Sequence, residues 1–433
     1  MNPSESETKY ILAEFGVGVQ SEVGKLDIVL MHRPEREILR LRKANLHYFL
    51  YAALPDIDDT RRSHDIFSQY LRDHGVHVLY LRNLLRETLV SSEEACKKLI
   101  AGVVAHSYYG DMDKKQASIA LRQWLLDRTP EQLVEDIIAG VVCSTEELGT
   151  SDHAQALIEL NNPINEYVIP PLPNLLFMRD GFSVIEKNVF IWQMTKPARR
   201  NEPLLLRIIF LYHPYLSSSG LNIVEWEATN GNDEYPTVEG GDVAYLGDGV
   251  VLIGCSERTN RSGIEAVART SLFRQVIAII IPPKRYYIHL DTVLSSVGAH
   301  AFTLHGPLAE TMEVFTLEHQ DINNNIFAKP KWISHGCDIR QALRNVLDDP
   351  ELIFYDAQDE ETSVCEQRHC RHNVVAIDDY HVVIYAGSDP EKGIVTQMIR
   401  NNACQVGPIP PEGLSEGDGG VHCMTNALRR RAK

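Results

Sequence analysis

Short apolar runs of strand length recur along nearly the whole chain: residues 26–31, 76–81, 181–185, 189–192, 250–253, 276–281, 373–377 and 382–385. Bounded by Gly, Pro or charged residues, such runs read as buried strands. Helical patterns lie between several of them. Ile66, Phe67, Tyr70 and Leu71 share one helical face before Gly75, and further patterns cover 260–272 and 338–347. This alternation predicts an α/β fold in which helices cover the sheets.

From 86 to 165 the texture is helical, with no convincing strand. Ser91-Ser92-Glu93-Glu94 and Thr129-Pro130-Glu131-Gln132 read as capping boxes, the second with proline at the first helical position. Asn162-Pro163 and Pro170-Pro171-Leu172-Pro173 end the block, because prolines this dense continue neither a helix nor a central strand. Strand signals then resume, so residues 86–165 read as a helical domain inserted between two parts of an α/β catalytic domain, 1–85 and 166–433. No sequence repeat is visible, although recurring short strands and helices can hide a structural one.

The charge balance narrows the function. With 42 basic against 59 acidic residues the net charge is −17, which disfavours nucleic acid and anionic lipid and favours a small cationic ligand. The Arg429-Arg430-Arg431 end reads as a solvated tail. The polar, acidic N-terminus lacks signal-peptide order, and no apolar run approaches membrane-spanning length, so the cytoplasm is the expected compartment. The eight cysteines follow no disulfide-type spacing and read as reduced thiols.

The chemistry sits in the loops. Gly417-Asp418-Gly419-Gly420-Val421-His422-Cys423 delivers one thiol behind glycines that allow φ > 0 or a close pass to a ligand. Taken alone, such a cysteine is as a rule a buried structural residue. Asp180 stands directly before a strand, Glu239 and Asp242 flank a Gly-Gly turn, and His289 and Asp291 are two residues apart. Each feature alone is an ordinary turn or surface pair. Together, a thiol, an imidazole and several carboxylates suit attack on a planar cationic carbon: carboxylates grip guanidinium N–H groups, sulfur attacks, and histidine moves protons.

Seven segments carry a resemblance: Val23-Gly24-Lys25-Leu26 with His32-Arg33-Pro34; Asn174 with Phe177-Met178-Arg179-Asp180; Pro197-Ala198-Arg199-Arg200; Glu239-Gly240-Gly241-Asp242; Gly254 to Thr259; His289-Leu290-Asp291-Thr292; and Gly419 to Thr425. In this order, and over nearly the whole chain, they resemble the arginine deiminases of the guanidino-group modifying superfamily. The resemblance implies a five-bladed pseudo-symmetric α/β propeller with a helical insertion, and hydrolysis of L-arginine to L-citrulline and ammonia without a cofactor. It makes Cys423 the nucleophile, His289 the acid–base and Glu239 its partner. Asp180 and Asp291 would grip the guanidinium, with Asp242 close by. Asn174, Arg199 and Arg258 would hold the substrate carboxylate, and Phe177 would border the pocket. Asp418 departs from the family, many of whose members carry arginine there; the difference bears on gating and affinity, and a carboxylate at 418 could accept a hydrogen bond from the substrate α-ammonium.

Alternatives stay open at this stage. They are a relative acting on agmatine or a methylated arginine, an amidinotransferase, a catalytically silent arginine-binding protein, and a cysteine protease, which would not need so many carboxylates. Homo-oligomerisation is left open. Cys365-Glu366-Gln367-Arg368-His369-Cys370-Arg371-His372 superficially resembles a metal site but crowds its candidate ligands into one stretch, without the spaced pairs zinc uses. It is expected to be a loop leading into the strand at Asn373, and no metal is expected.

Overall fold

The computed structural model describes residues 3–107, 114–160, 166–225, 235–318, 329–402 and 404–432. Asn162-Pro163, expected to close the helical block, lies outside the described residues.

Five of the sheets repeat one unit: an antiparallel strand pair, a helix, and a third strand parallel to the second. A parallel neighbour cannot be reached by a tight turn, so each unit needs a crossover helix. In the first, Phe182–Ile185 pairs with Asn188–Ile191, and helix Asn201–Tyr212 leads to Asn222–Val224. Next, Val243–Gly247 and Val250–Cys255 are followed by helix Arg261–Arg269 and strand Gln275–Ile280. Strands Val314–Glu318 and Lys331–Ser334 extend this sheet. The third joins Leu294–Gly298 and Ala301–Leu304 through helix Ile339–Val346 to Ile353–Tyr355. The fourth joins Val375–Asp378 and His381–Tyr385 through helix Ile394–Asn402 to Gln405–Ile409.

The fifth unit is assembled from both ends of the chain. Asn426–Arg430 pairs antiparallel with Leu26–Met31, and helix Ile57–Asp73 leads to the parallel strand His77–Tyr80. All six residues of Leu26–Met31 are buried, which is why the sequence there is apolar apart from Asp27 rather than alternating. The structural repeat that the sequence concealed is therefore present.

Helices Leu81–Ser91, Glu93–His106, Lys114–Leu126, Pro130–Ala139, Thr145–Leu148 and Asp152–Leu160 fill the helical stretch. Their core is continuous with that of the sheet containing Leu26–Met31, through Leu85, Leu99, Leu121 and Ile137. Thr129 and Gln132 form the expected reciprocal box. Ser92, rather than Ser91, is the other cap; its hydroxyl accepts from Ala95 N with no returning glutamate. Val141–Val142 is strand after all, pairing with Tyr167–Ile169; two residues are too few to leave a periodicity.

Two expectations are corrected. The arginine-rich end is no solvated tail: Arg430 is buried in the last strand, its guanidinium donating to the carbonyls of Gly24 and Ala376, while Arg431 pairs with Asp27. Strand closure supplied the acceptors that make this burial tolerable. The Cys365–His372 stretch begins as helix, Glu360–Arg368, rather than loop. Cys365 and His369 face solvent on it while Cys370 and His372 are buried, so these four do not converge. Among the described residues no helix is long and apolar enough to cross a membrane, and none of the eight cysteines forms a disulfide.

Candidate active site

Each of the five units contributes to one place from the turn that leads into its first strand. Asp180 precedes Phe182–Ile185, Glu239 and Asp242 precede Val243–Gly247, His289 and Asp291 precede Leu294–Gly298, Asn373 precedes Val375–Asp378, and Cys423 precedes Asn426–Arg430. The turns are packed too closely for side chains at the glycines. A Cβ on Gly240 would lie 2.1 Å from the carbonyl oxygen of Arg179, and one on Gly241 would lie 2.7 Å from His289 Nδ1.

The glycines before Cys423 serve packing rather than flexibility. Added Cβ atoms would meet the Phe177 ring at 2.5 Å from Gly417 and 2.3 Å from Gly419, and Asn373 Oδ1 at 2.4 Å from Gly420. The residue of this loop in the left-handed region is Asp418, at φ 59°.

A cavity of about 420 Å³ collects eight of the anticipated residues. Asn174, Phe177, Asp180 and Arg199 lie on its wall, as do Arg258, His289, Asp418 and Cys423. Glu239, Asp242 and Asp291 stand behind them. Cys423, 2% exposed, has its sulfur 3.6 Å from Asp291 Oδ2. Burial, then the charges of Asp291 and Asp180, pushes the thiol well above its ordinary value.

His289 Nε2 is 2.9 Å from Glu239 Oε2, while Nδ1 lies 3.7 Å from Asp180 Oδ1 with no hydrogen-bond partner. Burial alone would disfavour the imidazolium, but the carboxylates of Asp180, Glu239 and Asp242 outweigh it and raise His289 to about 9. Glu239 moves the other way: burial opposes ionisation, yet Arg258, His289 and Arg199 hold the group well below its usual range. Asp242 faces the protein rather than the cavity. It accepts from Leu290 N at 2.9 Å and Ser256 Oγ at 2.6 Å, bracing the turn that carries His289, and burial pushes it up to about 7.

The anticipated carboxylate-binding residues are already engaged within the protein. Arg199 Nη1 donates to Asp180 at 2.6 Å, and its remaining nitrogens reach Glu202 and the carbonyls of Asn174 and Phe177. Arg258 Nη1 donates to Glu239 at 3.1 Å, but its buried Nε makes no hydrogen bond, the Glu257 carboxylate lying 4.0 Å away. Asn174 Nδ2 donates to Phe49 O at 2.8 Å. Asp418 pairs with Arg285 across the cavity mouth.

Asp180, Glu239 and His289 offer ligand atoms within 4.8 Å of one another, and they are the one such group among the described residues. Arg199 and Arg258 already hydrogen-bond these carboxylates, and two guanidiniums at that range oppose an added cation.

Sequence reasoning missed Asn373, Arg285, His422 and Glu202. Asn373 Nδ2 lies 3.1 Å from Cys423 Sγ. His422 bridges Asp291 and Glu22 at 2.8 Å each, and Glu202 braces Arg199. One signal could have found Asn373: it occupies the same pre-strand position as the other site residues. The others become visible only through their partners.

The family model for arginine deiminase matches residues 47–430. Arginine deiminase of Bacillus cytotoxicus is 31% identical over 429 residues, covering 96% of this chain and 98% of the relative. That of Latilactobacillus sakei is 30% identical over 423 residues, with the same coverages. An amidinotransferase of Microseira wollei from the saxitoxin biosynthetic pathway is similar in fold, with a TM-score of 0.51 and 14% identity over 96% of this chain and 98% of that one. With its model matched from residue 47 to 430 and full-length relatives at this identity, the chain belongs to the arginine deiminase family.

Proposed function

We propose that this chain hydrolyses L-arginine to L-citrulline and ammonia through a covalent thiouronium on Cys423. The observation that carries the reading is a buried sulfur 3.6 Å from Asp291 on a cavity that also holds Asp180 and the unpartnered Nδ1 of His289. Carboxylates suit a guanidinium, and a thiol among them suits attack on its central carbon.

The thiol is held protonated by burial and by negative neighbours. A guanidinium between Asp180 and Asp291 brings a compensating positive charge, so the thiol loses its proton to solvent as the substrate docks. Sγ attacks the guanidino carbon. The C–N bond then breaks, its electron pair goes to nitrogen, and His289 supplies a proton from Nδ1 while Glu239 holds Nε2. Ammonia leaves and water enters. His289, now neutral, takes one water proton as oxygen attacks; the C–S bond breaks with its electron pair returning to sulfur, and the second O–H proton of the adduct passes to sulfur, giving citrulline and restoring the thiol.

Arg258, whose Nε makes no hydrogen bond within the protein, and the Arg199 and Asn174 side would receive the substrate carboxylate. Because Arg199 is committed to Asp180 and Glu202, its larger contribution in this reading is to orient Asp180. Phe177 borders the chamber, with the thiol-bearing loop against its ring. We further infer that the five repeated units close into a five-bladed pseudo-symmetric propeller, with 86–165 as a helical domain inserted between 1–85 and 166–433. Eight cysteines outside any disulfide suit a reducing compartment such as the cytoplasm. Purified protein incubated with L-arginine should release citrulline and ammonia in equal amounts; citrulline without ammonia, or neither product, would refute the proposal.

A further inference from the structure

Asn373 is fully buried and belongs to the one repeated unit whose pre-strand turn was given no part in the chemistry above. Its Oδ1 accepts the backbone N–H groups of His422, at 3.0 Å, and Cys423, at 3.2 Å. Both are obligate donors, so they fix which way round the amide sits. Nδ2 must then face the other side, where it lies 3.1 Å from Cys423 Sγ and 3.1 Å from the carbonyl oxygen of Asp291. Two N–H hydrogens thus meet two acceptors, and Oδ1 meets two donors. Gly420 leaves room for the arrangement, since a Cβ there would lie 2.4 Å from Oδ1.

The contact discriminates between forms of the sulfur. A thiol can donate to Asp291 Oδ2 and is a weak acceptor. A thiolate cannot donate and accepts strongly, and Asp291, 3.6 Å away, and Asp180 act on it with negative charge. An N–H held at the sulfur without reorganisation therefore gains strength as charge develops there.

We propose that Asn373 is a catalytic residue, whose side-chain N–H stabilises negative charge on Cys423 Sγ both when the thiol loses its proton to attack and when the C–S bond of the thiouronium breaks. This rests on Cys423 being the nucleophile. In both steps the electron pair resides on sulfur and the amide only donates a hydrogen bond, so no proton or electron is exchanged with Asn373. The same amide also positions the loop through Oδ1, and the test must separate the two effects.

Asn373→Ala removes both the N–H donor and the oxygen that accepts from His422 N–H and Cys423 N–H; Asn373→Asp keeps that accepting oxygen and the shape, and its carboxylate cannot donate. The readouts are kcat, KM, and the rate of Cys423 alkylation by iodoacetamide against pH, followed on the Cys423 peptide so that the other thiols do not contribute. For Asn373→Ala, kcat should fall by about 10²- to 10³-fold with KM within about threefold, and alkylation at fixed pH should slow about tenfold, an upward shift of roughly one pH unit. Asn373→Asp should slow alkylation at least as much, and it serves alone if the alanine variant does not fold. An unchanged alkylation profile in a folded variant would assign Asn373 to loop positioning only and overturn the proposal, as would an unchanged kcat. Turnover by Cys423→Ala would instead overturn the nucleophile assignment, a failure the alkylation profile does not share.

Discussion

Asp418 Oδ2 accepts a hydrogen bond from Arg285 Nη2 at 3.0 Å, joining the thiol-bearing loop to the turn before His289 across the cavity mouth. The loop carries a carboxylate here, with a guanidinium opposite it. At 52% exposure for Arg285 and 27% for Asp418, the pair adds at most about 1 kcal/mol to stability. Its consequence is for the charge met by an incoming cation.

Asp418→Asn should therefore leave Tm within about 2 °C and raise KM for arginine by roughly two- to tenfold, because it leaves Arg285 unpaired in front of a cationic substrate. The double variant Asp418→Asn with Arg285→Gln should recover most of that loss. If Asp418 instead contacts the α-ammonium, the defect will persist in the Arg285→Gln background and will vanish for an analogue lacking the α-amino group.

Cys423→Ala should abolish citrulline formation while arginine binding remains measurable by calorimetry, since the neighbouring carboxylates supply most of the grip. Removing the thiol also removes the group that Asp291 and Asp180 disfavour as an anion. Affinity should consequently stay within about threefold of the parent.

His289, raised to about 9, should set the alkaline limb of kcat/KM near that pH, because the departing amine needs its proton. Glu239→Gln removes one of the charges that raise it and should move the limb toward neutrality. The same shift links to folding: below 6.5, the ordinary histidine value, the folded state has the full benefit of the bound proton, and the benefit fades as pH rises through about 9. Chemical denaturation between those pH values should show it in the parent and not in His289→Ala.

Arg258→Ala should lower kcat/KM by about 10²-fold or more, as expected when one partner of a desolvated charge pair is removed. Agmatine, which has no carboxylate for Arg258 Nε, should be a poor substrate; equal turnover of agmatine and arginine would refute this carboxylate site. Arg199→Ala should destabilise the fold more, by about 3–5 kcal/mol, because it strands buried Asp180 and Glu202, whereas Glu239 keeps His289 when Arg258 is removed. Denaturant midpoints would separate the two arginines.

Much of this protein was legible in its sequence because the signals are local. Continuous apolar runs announced buried strands, helical spacing announced the crossover helices, and Thr129-Pro130-Glu131-Gln132 announced a helix start. Contiguous segments around Asp180, Glu239, His289 and Cys423 carried the family. Tertiary structure alone decided which of these groups meet. His422 joins Glu22 across a separation of 400 residues, Asn373 reaches Cys423 across 50, and Asp418 finds Arg285 across 133. Such contacts follow from how distant strands pair, and distance along the chain leaves them no local pattern. The same holds for charge. Arg430 looked like solvated tail because its acceptors, the carbonyls of Gly24 and Ala376, come from distant parts of the chain. Whether a guanidinium can be buried depends on partners that only the closed fold brings within hydrogen-bonding distance.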